Sequence, residues 1–459
     1  MRQSAENTGY EQPALWDEAK GEAPSDSYQG TEPTTASRET ESPAETESLM
    51  EVVVGRDNME KALKRVMANR GSPGADGMRV HELPGHLDEN WDEIREQLLS
   101  GTYHPSPVRR VEIGKPNGGV RPLGIPTAID RLIQQAIAQV LTPIFDPYFS
   151  DESYGFRPGR SAHQAVERAQ RYIEEGYAWV VDMDIEKFFD NVNHDALMAR
   201  VARKVADKRC LKTIRAFLNS GVMEEGLESP TEIGTPQGGP LSPLLSNIYL
   251  DDLDRELERR GHRFVRYADD CNVYVRSERA GLRVMESLSR FLERRLKLKV
   301  SARKSAVTRP FRVSFLGFSF TGGNNPKRRI GPKAIERLKK RVRELTRRTR
   351  GISLEQMIAE LNRYLRGWRG YFGFCRTPSV LRDLDSWIRR RLRSFIWKQM
   401  KRGRKRFAEL KTRGVSKDLA AQTAGSPRGP WHLSRSPALS YAYPNAYFNA
   451  LGLVSLEHG

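Results

Sequence analysis

The chain has 459 residues, of which 38% are hydrophobic, so it is long enough for several domains with a sizeable buried core. A mean hydropathy of −0.63, together with the lack of an apolar stretch of about 20 residues, argues against a membrane protein. No basic segment followed by an apolar block opens the sequence, so no secretory signal is expected and a cytoplasmic protein is predicted. Its three cysteines are too widely spaced for a zinc knuckle, so any catalytic metal is expected to rest on carboxylates.

The net charge of +18 is distributed unevenly along the chain. Residues 1–50 contain 11 acidic and 3 basic residues, a balance of −8, so the remaining residues carry +26. An excess of this size indicates a polyanionic partner such as nucleic acid, and a highly charged thermostable surface is the alternative.

The first 80 residues divide into a tail, a helix and a loop. Residues 1–50 are rich in Glu, Ser, Thr and Pro, and they predict a disordered acidic tail because too little apolar surface is available for burial. Apolar residues at helical spacing predict a helix over residues 59–67. A Gly- and Pro-rich loop, residues 71–77, ends it.

Later segments predict a mixture of strands and helices that becomes helical and basic. An apolar stripe predicts a helix over residues 131–145, with Asp130 as its N-cap. After Gly322 the pattern is helical and rich in Lys and Arg. Beyond Gly425 the Pro, Gly and Ser residues predict little regular structure.

Two segments carry acidic residues among apolar ones. Residues 178–190 predict a buried strand followed by a helix, and the period of two places Asp182 and Asp184 on one face. Residues 263–275 predict a hairpin with Asp269 and Asp270 at its turn. Three carboxylates from these segments would hold two Mg²⁺ ions about 4 Å apart, the arrangement that catalyses in-line displacement. The alternative for the acidic pair is a plain polar β-turn.

Further motifs accompany these carboxylates in a fixed order. They are the basic segment 110–127, the Ser-Tyr-Gly-Phe-Arg-Pro-Gly-Arg-Ser segment 153–161, the Pro-Gln-Gly-Gly segment within 234–250, Tyr-Ala-Asp-Asp at 267–270 and Phe-Leu-Gly-Phe at 315–318. In this order the chain resembles reverse transcriptases encoded by group II introns, and the resemblance extends over residues 51–459. The short C-terminal segment around residues 431–439 resembles the compact bacterial class C members.

The resemblance implies an α+β right-hand polymerase with fingers, a palm built on an antiparallel sheet, and a helical thumb. Fingers and palm would occupy residues 51–322 and the thumb or maturase (X) domain residues 323–413. A small C-terminal segment similar to a DNA-binding domain would occupy residues 414–459. The family's endonuclease domain, with its paired cysteines, is not expected here.

The resemblance also implies roles for individual residues of the polymerase site. Asp184, Asp269 and Asp270 match the catalytic, metal-binding triad, and the backbone carbonyl of Ile185 would complete the coordination of two Mg²⁺ ions. Lys304 matches a possible general acid for the pyrophosphate leaving group, although a lysine in a basic region usually has no such role.

Four residues match positions that contact the incoming deoxynucleoside triphosphate. Lys115 and Arg121 would clamp the triphosphate, because an ammonium and a guanidinium suit phosphate oxygens. Phe189 would exclude a ribose 2′-hydroxyl, with core packing as its alternative. Gln237 would lie near the nucleotide and template.

Basic residues of the expected thumb are predicted to bind structured RNA. Arg347 and Arg348 belong to the basic, mostly helical segment 326–350, and Arg366 and Arg369 belong to the aromatic-rich segment 361–374. Packing of that segment as an amphipathic helix is the alternative, and both roles are compatible.

The resemblance implies an RNA-directed DNA polymerase that promotes splicing of its parent group II intron and copies the intron at a DNA target during retrohoming. Its expected partners are intron RNA in a ribonucleoprotein, a template RNA/DNA primer duplex, deoxynucleoside triphosphates and target DNA, with no membrane. Action on DNA would place it at the bacterial nucleoid. A non-catalytic maturase and a reverse transcriptase of host defence are the competing interpretations.

Overall fold

The computed structural model describes residues 46–114, 120–220, 222–224, 227–229, 238–323 and 325–458. They form two compact units that divide between Pro310 and Phe311. The predicted tail lies outside the described residues except for its last five, and there the boundary is wrong, because Met50 is fully buried in the core of the first unit. Within the described ranges, none of the helices combines the length and apolar character needed to cross a membrane.

The first unit contains both helices and strands, as an α+β fold requires. Its helices are α1 (Leu49–Val53), α2 (Arg56–Ala68), α3 (Leu83–Ser100), α4 (Ala128–Phe145), α5 (Ala162–Glu174), α6 (Phe188–Asn191), α7 (His194–Val201), α8 (Lys208–Asn219), α9 (Ser242–Arg259) and α10 (Glu278–Phe291). Its strands are β1 (Val108–Gly114), β2 (Val120–Ile125), β3 (Trp179–Asp184), β4 (Val222–Glu224), β5 (Leu227–Ser229), β6 (Arg263–Tyr267), β7 (Asp270–Val275) and β8 (Ala306–Thr308).

The strands form two sheets. One has the order β2-β1-β4-β5, in which β1 is antiparallel to β2 and parallel to β4. The other has the order β6-β7-β3-β8 and is antiparallel throughout. Its apolar face contributes Val181, Met183, Cys271 and Val273 to the core. Gly281 of α10 lies against this face, where a β-carbon would touch the valine side chains, so the opposite face is left for polar groups.

Helix α4 crosses the core and begins three residues earlier than predicted. Its N-cap is Thr127, whose hydroxyl accepts a hydrogen bond from the Asp130 N–H at 3.1 Å. The prediction of Asp130 as N-cap is therefore wrong. Asp130 instead lies in the first turn, where it is buried and accepts hydrogen bonds from the hydroxyls of Thr127 and Tyr103 at 2.6 and 2.8 Å. Its carboxylate thus completes the cap rather than starting it.

The second unit is mainly helical. A two-stranded antiparallel sheet, β9 (Phe318–Phe320) and β10 (Arg328–Ile330), precedes the helices. The helices are α11 (Pro332–Leu345), α12 (Leu354–Phe372), α13 (Pro378–Gln399), α14 (Gly403–Thr412), α15 (Lys417–Ala424), α16 (Pro430–Leu433), α17 (Pro437–Ala442) and α18 (Asn445–Ala450). The expectation of little regular structure after Gly425 is wrong, because short helices occupy this stretch, and α16 and α17 begin at prolines.

Residues 452–457 are bonded to the middle of α12 and α13. Asn362 of α12 donates to the Gly452 carbonyl at 2.7 Å and accepts from the Val454 N–H at 2.9 Å. Asp385 of α13 accepts from the Leu456 N–H at 2.9 Å. We call these bonds the C-terminal clasp; they join residues about 70 to 92 positions apart within the second unit.

Candidate active site

Asp184 and Asp270 lie directly opposite each other on neighbouring strands. Strand β3 ends at Asp184, β7 begins at Asp270, and the register pairs these two residues. Asp269 precedes Asp270 in the tight turn between β6 and β7, so the predicted hairpin is confirmed. Because side chains alternate along a strand, Asp182 lies on the same face as Asp184. The two acidic segments of the sequence therefore meet at one edge of the sheet.

Lys304 bonds to the Asp184 carboxylate. Its Nζ lies 2.9 Å from Oδ1 and 3.0 Å from Oδ2. The backbone of the same segment is attached to β3, since the Ser301 N–H donates to the Asp184 carbonyl at 2.9 Å. The Ser305 hydroxyl accepts from the Asp184 N–H at 3.0 Å. The structure thus places Lys304, the residue expected to protonate the pyrophosphate, against the carboxylate of Asp184.

Asp270 is strongly affected by its surroundings. Part of its surface is accessible to solvent, but protein encloses the rest of the residue. Loss of hydration, and then repulsion from the carboxylates of Asp269, Asp182 and Asp184, raise the pKa of Asp270 to about 7, with Lys304 opposing the shift. Burial, and then the charge of Asp184, raise the pKa of Asp182 to about 6. The edge of the sheet therefore carries more negative charge than one lysine neutralises.

This donor set has the chemistry that Mg²⁺ requires. The ion takes hard oxygen ligands, and excess carboxylate charge favours a divalent cation. Among the residues that the structure describes, however, no group of three or more acidic, His or Cys side chains is already arranged to hold a metal. Asp184 turns both oxygens to Lys304. Metal binding by the three predicted carboxylates would accordingly require Asp184 to exchange the ammonium for the ion.

The Ile185 carbonyl points to the side of β3 that faces these carboxylates. Ile185 forms an antiparallel bridge with Val300, flanked by hydrogen bonds from Glu186 to Lys299 and from Ser301 to Asp184. In this type of antiparallel pair the residues on either side make the backbone hydrogen bonds between the strands, so the carbonyl of Ile185 points away from Val300. That direction is where β7 and the acidic turn lie.

Phe189 lies in α6, immediately after β3. Its ring contacts Phe188 edge to face, with centroids 5.2 Å apart, and it packs on the core while staying partly accessible. Lys187 has a φ of 44°, a left-handed conformation that turns the chain sharply between β3 and α6. The ring is therefore held near the strand end that carries Asp184, and both expected roles, packing and steric exclusion, are compatible with this position.

The expected nucleotide-contacting residues are described only in part. Lys115 and Gln237 lie outside the described residues. Arg121 is in β2 and pairs with Ile113 of β1, but its side chain is outside the description. Gly238, next to Gln237, has a φ of 133°, and a β-carbon there would collide with the Gly124 carbonyl of β2. A side chain at position 238 is therefore excluded, so the segment approaches β2 closely.

A buried polar cluster behind the acidic turn was not predicted from the sequence. The Arg266 guanidinium and the Asp254 carboxylate form a bidentate ion pair, at 2.7 and 2.6 Å, and both side chains are fully buried. Arg266 also donates to Asn247 Oδ1 at 3.0 Å and to the Ala268 carbonyl at 2.9 Å. The signal that was available is an arginine within an otherwise apolar strand, and an Asn and an Asp seven residues apart on one helix.

The arginines predicted to bind RNA differ in exposure. Arg347, Arg348 and Arg366 are exposed. Arg369 is half-buried and donates to the Leu456 carbonyl at 3.0 Å, so it supports the C-terminal segment. The aromatic residues of α12 pack inward as the amphipathic alternative predicted, since Trp368 and Phe372 are buried.

Two protein families match successive parts of the chain. Residues 113–320 match the family "Reverse transcriptase (RNA-dependent DNA polymerase)". Residues 335–414 match "Group II intron, maturase-specific domain". The chain belongs to the group II intron reverse transcriptase/maturase family. The reverse transcriptase match of this family member includes Asp184, the acidic turn and Lys304, and its maturase match includes α12 and α13.

Curated relatives agree with this family. Protein YkfC of Escherichia coli (strain K12) is 37% identical over 218 residues, which are 46% of this chain and 57% of the relative. The group II intron-encoded protein LtrA of Lactococcus lactis subsp. cremoris is 32% identical over 323 residues, 56% of this chain and 54% of the relative. The chain thus spans somewhat more than half the length of each of these two relatives.

A solved structure of a partial Cas6-RT-Cas1–Cas2 complex also matches. It is 24% identical, has a TM-score of 0.36 and covers 54% of this chain and 42% of that chain. A TM-score of this size adds nothing to the family assignment. Reverse transcriptase domains use divalent metal ions, which agrees with the oxygen donors found at the acidic turn.

Proposed function

We propose that this protein is an RNA-directed DNA polymerase that joins deoxynucleotides to a primer by two-metal nucleotidyl transfer. The observation that carries the proposal is the pairing of Asp184 with Asp270 beside the turn that holds Asp269. Two Mg²⁺ ions held by Asp184, Asp269, Asp270 and the Ile185 carbonyl would activate the primer hydroxyl and stabilise the leaving pyrophosphate. The division into fingers and palm up to residue 322, thumb over residues 323–413 and C-terminal segment over residues 414–459 belongs to the same proposal. The fingers and palm begin before residue 51 in this proposal, because Leu49 and Met50 lie in the core of the first unit.

Other residues of the chain have separate roles in this mechanism. Lys304 is proposed to give its proton to the pyrophosphate, once Asp184 releases it. Phe189 would exclude the ribose 2′-hydroxyl, and Gln237 would contact the nucleotide. Lys115 and Arg121 would hold the triphosphate, because cationic donors bind phosphate oxygens strongly.

Primer extension on poly(rA)/oligo(dT) with Mg²⁺ tests the polymerase directly. The active-site variant is Asp269→Ala/Asp270→Ala, and an EDTA reaction controls for metal. Asp88→Ala/Glu89→Ala is the matched control, since it removes two adjacent exposed carboxylates from α3. Extension that disappears only in the active-site variant and with EDTA supports the proposal. A folded wild type that binds RNA but extends no primer on several templates would refute it and favour a maturase without polymerase activity.

We also propose that the protein binds its parent intron RNA in a ribonucleoprotein, promotes its splicing and copies it at a DNA target. The maturase-specific match supports this part. Arg347, Arg348 and Arg366 are exposed cations in or beside the matched helices. Their expected contacts are phosphates of structured RNA, with Arg369 contributing through the fold of the C-terminal segment.

RNA affinity at two salt concentrations tests this role. The probe is RNA transcribed from the genomic sequence around the reading frame, and the variant is Arg347→Ala/Arg348→Ala. Loss of two phosphate contacts should weaken binding and reduce the salt dependence. Arg56→Ala/Arg65→Ala, at two exposed positions of α2, is the charge-matched control. Unchanged affinity and salt slope in the double variant would remove these arginines from the proposal.

A surface near α16 supports target DNA as a further partner. The Arg390 guanidinium lies 3.7 Å from the centre of the partly exposed Trp431 ring and donates to the Trp431 carbonyl at 3.0 Å. Residues 419–456 contain Arg428 and Arg435 but no acidic residue. Phosphate attraction combined with an aromatic ring is suited to nucleic acid. Binding to chromosomal DNA would place the protein at the bacterial nucleoid. A Trp431→Ala/Arg428→Ala variant that binds DNA as tightly as wild type would show that this surface is not the DNA-binding site.

A further inference from the structure

The acidic turn has a strained backbone. Ala268 is the first residue of the turn and has a φ of 55°, a region that L-residues adopt at a cost and glycine adopts freely. A hairpin turn with a positive φ at this position normally has glycine there. A conformation of this kind persists only where the surroundings determine it.

The Arg266–Asp254–Asn247 cluster provides the surroundings that hold the turn in this conformation. One amino group of Arg266 bonds the Ala268 carbonyl at 2.9 Å, and the same group bonds Asn247 at 3.0 Å. The rest of the guanidinium is fixed by the bidentate pair with Asp254. A planar guanidinium can serve all these acceptors at once, whereas the point charge of a lysine cannot.

A second segment closes on the turn from another side. Asn247 donates to the Gly155 carbonyl at 2.9 Å, and a β-carbon on Gly155 would collide with the Ala268 amide nitrogen. The backbone of the same segment bonds to β6, because the Tyr154 N–H donates to the Arg266 carbonyl at 2.9 Å. The turn is therefore enclosed by Gly155 and tied through its carbonyl to a buried cation.

We propose that Arg266, held by Asp254 and Asn247, is a positioning residue that fixes the acidic turn in the geometry needed for nucleotidyl transfer. The cluster touches none of the reacting groups. It acts through Ala268, whose carbonyl it holds, and thereby sets the direction in which Asp269 and Asp270 leave the turn. This inference rests on the proposed polymerase function, although its structural part is independent of that function.

The decisive variant replaces the ion pair by apolar residues, Arg266→Met/Asp254→Leu. Such replacements of a buried pair are often neutral or stabilising for the fold, and urea unfolding of the variant shows whether a loss of activity reflects unfolding. We expect kcat for primer extension to fall at least about tenfold, because small displacements of catalytic groups cost up to about 100-fold. The KM for the deoxynucleotide and the affinity for the primer–template should stay within about twofold.

The matched control is Arg200→Met/Asp252→Leu. It removes an ion pair that joins α7 to α9, in which the Arg200 guanidinium lies 2.7 Å from the Asp252 carboxylate and is largely buried. This pair does not contact the turn. Its kcat should stay near that of wild type. Arg266→Lys is a further variant, which keeps the charge beside Asp254 but loses the fork; we expect it to lose kcat as well. Wild-type kcat in a folded Arg266→Lys or double variant would overturn the proposal.

Hydrogen exchange of peptides that contain residues 266–270 supplies a readout that does not depend on activity. The Arg266→Met/Asp254→Leu variant should exchange faster there than wild type, and the control variant should not. Equal protection in wild type and the double variant would overturn the positioning role even if no primer is extended. A wild type without polymerase activity would refute the proposed function, while the exchange result would still decide whether the cluster holds the turn.

Discussion

The Lys304 ammonium competes with any metal ion for the Asp184 carboxylate. Replacing Lys304 by methionine removes the ammonium, so its effect on metal binding can be distinguished from its effect on proton transfer. The Nζ lies 2.9 and 3.0 Å from the two carboxylate oxygens, but 64% of the lysine side chain is exposed. A pair at about 4 Å is worth roughly 4 kcal/mol at an effective dielectric constant of about 20, and exposure reduces it to about 1 kcal/mol or less. The free energy of unfolding should therefore change by less than about 1 kcal/mol in Lys304→Met.

The energy of the Lys304–Asp184 interaction also sets the expected change in the Mg²⁺ concentration that the enzyme requires. Because about 1.4 kcal/mol corresponds to a factor of ten, removing a competitor worth up to about 1 kcal/mol should lower the half-saturating Mg²⁺ concentration by up to about fivefold. Loss of a general acid should lower kcat by about 100-fold or more. Metal affinity and turnover are thus expected to change in opposite directions, which a general weakening of the site cannot produce.

The assay is primer extension over a Mg²⁺ titration, combined with urea unfolding. Arg303→Met is the matched control, since it removes an exposed neighbouring cation. A half-saturating Mg²⁺ concentration in Lys304→Met that equals or exceeds the wild-type value would refute the competition. A kcat equal to wild type would refute the proton transfer.

Three further predictions concern neighbouring features. Phe189→Val should raise ribonucleotide incorporation relative to deoxynucleotide incorporation by about 10- to 100-fold, measured as a ratio of kcat/KM values, and an unchanged ratio would leave the ring a packing role only. Ala268→Gly should raise the free energy of unfolding in urea by up to about 1 kcal/mol, because glycine tolerates the φ of 55°, and a decrease would contradict the strain. Burial raises the pKa of Asp130 to about 6 from 3.8, so the folded protein keeps this proton longer than the unfolded chain, and the residue's contribution to stability falls as the pH rises between those values. Relative to wild type, Asp130→Asn should therefore gain up to about 3 kcal/mol of unfolding free energy between about pH 4 and pH 6 and level off above, whereas a pH-independent difference would contradict the shift.

The sequence predicted those parts of the fold that rest on local pattern. Alternation in residues 178–184 indicated a strand with Asp182 and Asp184 on one face, and a pair of β-rich runs indicated the hairpin around Asp269. Both predictions depend on period and turn chemistry, which act over a few residues. The order of motifs then identified the family, which the matched residues confirm.

Contacts that depend on distant residues were not predictable in this way. Asp130 looked like an N-cap because it precedes the apolar stripe, but the burial of its carboxylate by Tyr103 places the cap three residues earlier. The link from Arg266 to Asp254 joins a strand to a helix that ends before it, and no local rule indicates which buried acid an arginine selects. The helices after Gly425 are only four to six residues long, so each lacks the length that produces a recognisable period.

The C-terminal clasp has a consequence for synthesis of the chain. Asn362 is made 90 residues before the Gly452 carbonyl to which it donates, and Asp385 is made 71 residues before the Leu456 N–H that it accepts. Helices α12 and α13 therefore leave the ribosome with these polar groups unmatched and wait, at about 5–20 residues per second, for several seconds or longer before the partners arrive. During that interval the helical unit is incomplete, and its unpaired polar groups are accessible to chaperones. A ribosome that stalls after α14 would hold a nascent chain whose reverse transcriptase portion is translated but whose second unit lacks the C-terminal clasp.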